Sequence, residues 1–183
     1  MKSRFSVDKG LVLRVADFLD RRRTVTLDYL EDDLIELIAA CRILGLLGDP
    51  AGIPSLIRAL ERHGENRSPS DRFVLKNAAD ALTSIGEEAV QPLIMLLESE
   101  KPETRKFAAY ALGKIGDRRA FPALARVAGD PKEPKLVREV AGRAMQRLNP
   151  QKSGGDSRPQ QPRRAGGPSH LRRPHNKRIF RND

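Results

Sequence analysis

The chain has 183 residues, of which 39% are hydrophobic and 32% charged, with a net charge of +10 and a pI near 10.2. That length suffices for one domain with its own core. A disulfide scaffold is excluded because Cys41 is the only cysteine, and no run approaches the ~20 apolar residues of a membrane helix.

The charge is unevenly placed. Residues 151–183 hold nine Lys or Arg against Asp156 and Asp183, a net of +7; subtracting from +10 leaves +3 for residues 1–150. The high pI therefore describes a tail and not the body. With no apolar stretch of the signal-peptide kind in "MKSRFSVDKG", the cytoplasm is the expected compartment.

In chain order, the first predicted element is a helix over 7–23. Leu11, Val12, Val15, Phe18 and Leu19 share one face, and Arg21 and Arg23 sit at the C-terminal end, where positive charge is favoured. A second pattern runs from Leu27 through Leu30, Leu34, Leu37, Ile38, Cys41 and Leu44. It predicts a helix over about 27–47, with Asp28, Glu31, Asp32 and Asp33 loading its positive end.

From here the chain writes one phrase repeatedly: "ILGLLGDPAGIPSLI" at 43–57, "ALTSIGEEAVQPLIM" at 81–95 and "ALGKIGDRRAFPALA" at 111–125. Aligned on Gly48, Gly86 and Gly116, each copy has a proline six residues later (Pro54, Pro92, Pro122). Leu44, Leu82 and Leu112 stand four before the glycine. The small pairs Ala40–Cys41, Ala78–Ala79 and Ala108–Ala109 stand eight and seven before it. Asn149 takes the glycine's place in a fourth, partial copy. Apolar residues at these offsets form one helical stripe, and the glycine can enter the left-handed conformation that ends a helix. Asp49, Glu87 and Asp117 then precede a second helix, which tolerates proline in its first turn. Each copy is a helical hairpin that must stack on neighbours to bury its apolar side. The insert "RHGENRSPSD", 62–71, reads as a surface loop.

The phrases "ILGLLGDPAGIPSLIRAL" and "ALGKIGDRRAFPALARV" resemble the short HEAT-like repeats of phycobilin lyases and of bacterial and archaeal scaffold proteins, over roughly residues 31–149. The resemblance implies an all-α fold: a short α-solenoid of HEAT-like hairpins with a disorder-prone basic C-terminal tail. The expected organisation is a repeat domain over 1–150, comprising a cap helix 7–23, repeats at about 27–62, 71–98 and 102–128, and a capping helix 134–148. The basic Gly/Pro/Arg-rich tail occupies 151–183.

No catalytic residue, cofactor or metal is expected. The family includes deoxyhypusine hydroxylases, whose repeats bind iron through His-Glu pairs. Here none of His63, His170 and His175 is followed by glutamate. Cys41 falls at a stripe position occupied elsewhere by alanine, which reads as a buried small side chain.

The expected function is thus that of a non-enzymatic adaptor or scaffold that binds a protein partner. The surface assigned to this contact is the row of second helices, with Arg58, Gln91, Arg119 and Arg126 as its polar candidates. In the tail, Arg163, Arg164, Arg172, Arg173, Lys177 and Arg178 suit a polyanion, RNA more than DNA, while Ile179 and Phe180 would anchor a peptide docked on a partner. A purely solubilising tail stays open. Two alternatives stand beside this: a bilin lyase-type subunit or chromophore chaperone, and a ribosome- or nucleic-acid-associated protein anchored mainly by the tail. No small-molecule substrate is evident from the residues.

Overall fold

The computed structural model describes residues 9–21, 31–65 and 69–149. Among them lie eight α-helices: α1 (Lys9–Arg21), α2 (Glu31–Leu47), α3 (Ile53–His63), α4 (Pro69–Ile85), α5 (Val90–Leu96), α6 (Pro102–Ile115), α7 (Phe121–Gly129) and α8 (Lys135–Leu148). No strand occurs among the described residues. The predicted tail, including Arg163 to Phe180, lies outside them, as do residues 27–30 of the second predicted helix.

The helices form a two-layered all-α solenoid. In the first layer α2 packs on α4, α4 on α6 and α6 on α8. The second layer holds α3, α5 and α7, each returning against the first. Helix α1 lies against α2 and α3, in the place a second-layer helix of a preceding repeat would take.

The turns explain the recurring phrase. Gly48, Gly86 and Gly116 have φ of 64°, 93° and 80°, a region costly for any residue with a Cβ. After each glycine comes a single 3₁₀ turn (Pro50–Gly52, Glu87–Ala89, Arg118–Ala120) before the second helix starts. The side chains of Asp49 and Asp117 cap two of these turns, accepting from the N–H groups of Ala51 and Arg119, each at 2.8 Å. Glu87 caps nothing. Its carboxylate is long enough to reach sideways, and it pairs with Arg119 instead. Asn149 departs from the glycine pattern: its φ of −129° needs no left-handed backbone.

The small pairs lie in the seam. Ala40, Cys41, Ala78, Ala79, Ala108 and Ala109 are all buried, beside the leucines Leu44, Leu82 and Leu112. Two glycines bring the helices closer still. A Cβ on Gly45 would sit 2.8 Å from the Ala81 Cα, and one on Gly113 would sit 2.6 Å from the Ala144 Cβ. Neither is in the left-handed region; here the missing side chain permits contact between α2 and α4 and between α6 and α8.

Of the insert expected to be a surface loop, residues 62–63 belong to α3 and 69–71 to α4, while 66–68 lie outside the described residues. His63 and Asp71, at its two ends, are both buried, with His63 Nδ1 2.7 Å from Asp71 Oδ1. A buried carboxylate without a partner would cost several kcal/mol, so the pair ties the end of α3 to the first turn of α4. On the α6 side Thr104 Oγ1 donates to the Leu60 carbonyl at 3.0 Å, and Lys101 Nζ donates to the Glu61 carbonyl at 2.6 Å. The start of α6 is thereby tied to the end of α3.

Candidate functional site

The second-layer residues expected to meet a partner are placed at the seams between repeats. Arg58 on α3 donates through Nε to Asp20 Oδ1 on α1 at 2.9 Å, and its Nη2 also contacts Asp20 Oδ2. Ser55 Oγ donates to the same carboxylate at 2.9 Å. The hydrogen bonds from Arg58 outweigh the opposing effect of burial and hold the Asp20 carboxyl below its usual range. Arg119 spans Asp117 of its own turn and Glu87 of the preceding one, with Nη2 2.7 and 2.8 Å from their oxygens. Arg126 on α7 reaches Glu98, at the end of the preceding hairpin, at 2.8 Å. Arg119 and Arg126 therefore link successive repeats, Arg58 links the cap helix α1 to the first hairpin, and each is paired with at least one carboxylate. Gln91 is exposed on α5 and joins none of these pairs.

Beside Arg126 opens a cleft of about 380 Å³, between the end of α5, the start of α6 and the α7–α8 connection. Leu97 and Val127 line it with apolar surface; Arg105, Arg126 and Lys132 supply positive charge, and Glu98, Asp130 and Glu133 negative charge. Arg105 is nearly buried. Its Nη1 donates to the Ser99 carbonyl at 2.6 Å, and its Nε and Nη2 donate to Glu133 Oε2 at 3.1 and 2.8 Å. Lys132 is exposed, and its ammonium has no ion-pair partner among the described residues. Three cations thus face three carboxylates: Arg105 is held by Glu133 and Arg126 by Glu98, which leaves the Lys132 ammonium as the cation to which a ligand carboxylate has access. Sequence reasoning missed Arg105, Lys132 and Glu133. Arg105 and Glu133 lie twenty-eight positions apart, beyond any helical spacing, so no local pattern joins them.

Cys41 supplies no chemistry. It is fully buried, and burial pushes its thiol up to about 12, leaving negligible thiolate at neutral pH. Among the described residues no three His, Cys, Asp or Glu side chains converge as metal ligands, and no helix is long and apolar enough to cross a membrane.

A stack of helical hairpins turned by left-handed glycines, with alanine pairs in its seam, defines a HEAT-like repeat protein, and the chain is one. Residues 67–146 match HEAT repeats, and residues 37–62 match the PBS lyase HEAT-like repeat. Over 78 residues the chain is 44% identical to the phycocyanobilin lyase subunit alpha of Picosynechococcus sp.. That match covers 42% of this chain and 29% of the relative's length. It overturns the expectation of a non-enzymatic protein, because the relative is a lyase subunit. It also favours the bilin-lyase alternative over the adaptor reading; nothing in the match involves nucleic acid.

Proposed function

We propose that the chain acts as a bilin lyase-type subunit. Its repeats hold a protein, and the Arg105–Arg126–Lys132 cleft engages a carboxylate of the chromophore. The identity to a phycocyanobilin lyase subunit carries this reading, since the positions that make a HEAT hairpin would serve any cargo equally well. The cleft supports it through chemistry. A bilin is a linear tetrapyrrole with two propionates; Lys132 stands exposed in the cleft, and a propionate there would compete with Glu98 for Arg126 while Arg105 stays locked to Glu133.

The test has two parts. Phycocyanobilin titrated into the full chain is expected to change its visible spectrum on binding, whereas its dimethyl ester, lacking carboxylates, binds at least tenfold more weakly. Arg126→Glu is expected to weaken the free acid but not the ester. Co-expression with a bilin source and an apo-acceptor protein then asks for pigment that stays on the acceptor through denaturing electrophoresis. The absence of both a spectral change and covalent pigment above the chain-free control would refute the proposal.

A further inference from the structure

In the second layer Arg58, Arg119 and Arg126 are all paired with carboxylates. On the outer side of the first layer, Arg42 on α2 and Arg143 and Arg147 on α8 are exposed and have no hydrogen-bond or ion-pair partner among the described residues. Between them, Lys76 and Lys114 share the single carboxylate of Asp80, at 2.6 and 3.2 Å, which leaves an excess of one positive charge there too.

The repeat register places these groups in rows. Counted back from Gly48, Gly86, Gly116 and Asn149, position −6 is Arg42, Asp80, Tyr110 and Arg143. Position −13 is Ile35, Phe73, Glu103 and Leu136. Because α2, α4, α6 and α8 lie side by side, each position becomes a line crossing the layer. Ile35, Phe73 and Leu136 are 62%, 56% and 51% exposed, far more than the packed leucines of the same helices. Seven residues of helix separate the two lines by about 10 Å. One edge of this face is thus apolar on α2, α4 and α8, interrupted on α6 by Glu103, which pairs with Lys106, and the other edge carries an excess of positive charge.

We propose that this first-layer face is a docking surface for an acidic protein that sets carboxylates against Arg42, Arg143 and Arg147 and apolar side chains against Ile35, Phe73 and Leu136. Such a surface would serve the chain whether or not it is a lyase subunit. Charge decides the occupant. A second copy presenting the same face would bring arginine against arginine, and residues 151–183 of this chain, net +7, carry the same sign. The cleft lies elsewhere, between α5, α6 and the α7–α8 connection, so this face is separate from it. Exposed arginine alongside aromatic and aliphatic side chains is the composition of a protein contact, with opposite charge steering the encounter. An apolar line has no use for a nucleic-acid backbone, and a line of three apolar side chains, interrupted by Glu103 on α6, is too sparse to enter a bilayer.

The test uses the full chain and four probes: an acidic Glu/Leu amphipathic helical peptide, its Lys/Leu counterpart, a single-stranded oligonucleotide and phosphatidylglycerol vesicles. Arg143→Glu and Phe73→Ser alter the face. Arg118→Glu makes the same charge change at an exposed arginine on a second-layer turn. All three positions are exposed, and unchanged circular dichroism checks the fold. The acidic peptide is expected to bind, the basic one not. Affinity for the acidic peptide should fall about tenfold in Arg143→Glu and at least threefold in Phe73→Ser, with less than twofold change in Arg118→Glu. Equal losses in Arg143→Glu and Arg118→Glu would overturn the proposal in favour of general charge attraction. So would indifference to Phe73→Ser, tighter binding of oligonucleotide or vesicles lost through Arg143→Glu, or no binding of the acidic peptide at all.

Discussion

Arg58 reaches back thirty-eight positions to Asp20, closing α3 onto α1 with an Nε–Oδ1 distance of 2.9 Å. The contact joins a helix outside the repeats to the first hairpin. Arg62 adds a donor to the Leu19 carbonyl at 3.2 Å, so the second layer begins with α1 held by two arginines of α3.

Replacing Asp20 with alanine removes the acceptor for both Arg58 and Ser55, and Ser55 is nearly buried. A loss of about 1–2 kcal/mol is expected, concentrated in α1. Thermal melting gives the total, and amide exchange should show α1 opening before α4 and α6. A double-mutant cycle of Asp20→Asn with Arg58→Gln should return a coupling above about 0.5 kcal/mol. Additive losses would mean the pair contributes nothing beyond separate packing.

Gly113 and Gly116 stand three residues apart, within and just after α6, and should fail for different reasons. At Gly116 nothing lies within 4 Å of where a Cβ would sit, so alanine suffers only from φ of +80°, at a cost of about 1 kcal/mol. Asparagine, which tolerates left-handed backbone, should recover part of that. At Gly113 the Cβ would meet Ala144 at 2.6 Å and force α8 away, costing about 1–3 kcal/mol. Asparagine there should be worse than alanine. Chemical denaturation of the four variants decides it; the same ranking of alanine and asparagine at both sites would contradict the assignment.

The buried pair His63–Asp71 predicts a third asymmetry. Asp71→Ala strands the imidazole in a closed site and is expected to destabilise by about 2–4 kcal/mol. Asp71→Asn keeps an acceptor of the same shape and should cost less than half of that. Urea midpoints for the two variants, measured beside Lys101→Ala as a control at the neighbouring tie to Glu61, make the comparison.

The repeats were legible because their demands are local. A left-handed turn asks for glycine, a helix start accepts proline, and a close seam asks for alanine, so Gly48, Pro54 and Ala78–Ala79 announce themselves by type and spacing. Gly45 and Gly113 carried the same information but fell outside the motif, inside helices where glycine reads only as a weak helix former. The surface was illegible for the opposite reason. Whether Arg58 is free or paired depends on Asp20, and Arg105 on Glu133, partners set by stacking and not by helical periodicity. The bilin connection was visible in the repeat phrase, but whether it outweighed a scaffold reading was not, because every aligned position was structural.

Acid and base should both dissect the cluster around Asp80. Its burial favours the protonated acid, yet hydrogen bonds from Lys76, Tyr110 and Lys114 together outweigh this and hold the carboxyl below its ordinary value. Tyr110 donates to Oδ1 at 2.9 Å, and Lys114 Nζ stands 3.0 Å from the phenol oxygen. A depressed carboxyl stabilises the fold above its unfolded value of about 3.9, and that contribution disappears as pH falls through the lower folded value. The raised lysines act at the other end: their contribution is complete below about 10.4 and is lost as pH rises through their higher folded values. The stability difference between the natural chain and Asp80→Asn should therefore be flat from about pH 5 to 9 and shrink below about pH 4. Because the carboxylate is a third exposed, solvent screening keeps the plateau near 1 kcal/mol. Urea midpoints at successive pH values measure it, and a difference that persisted undiminished at about pH 2 would show that Asp80 acts through packing and not through its charge.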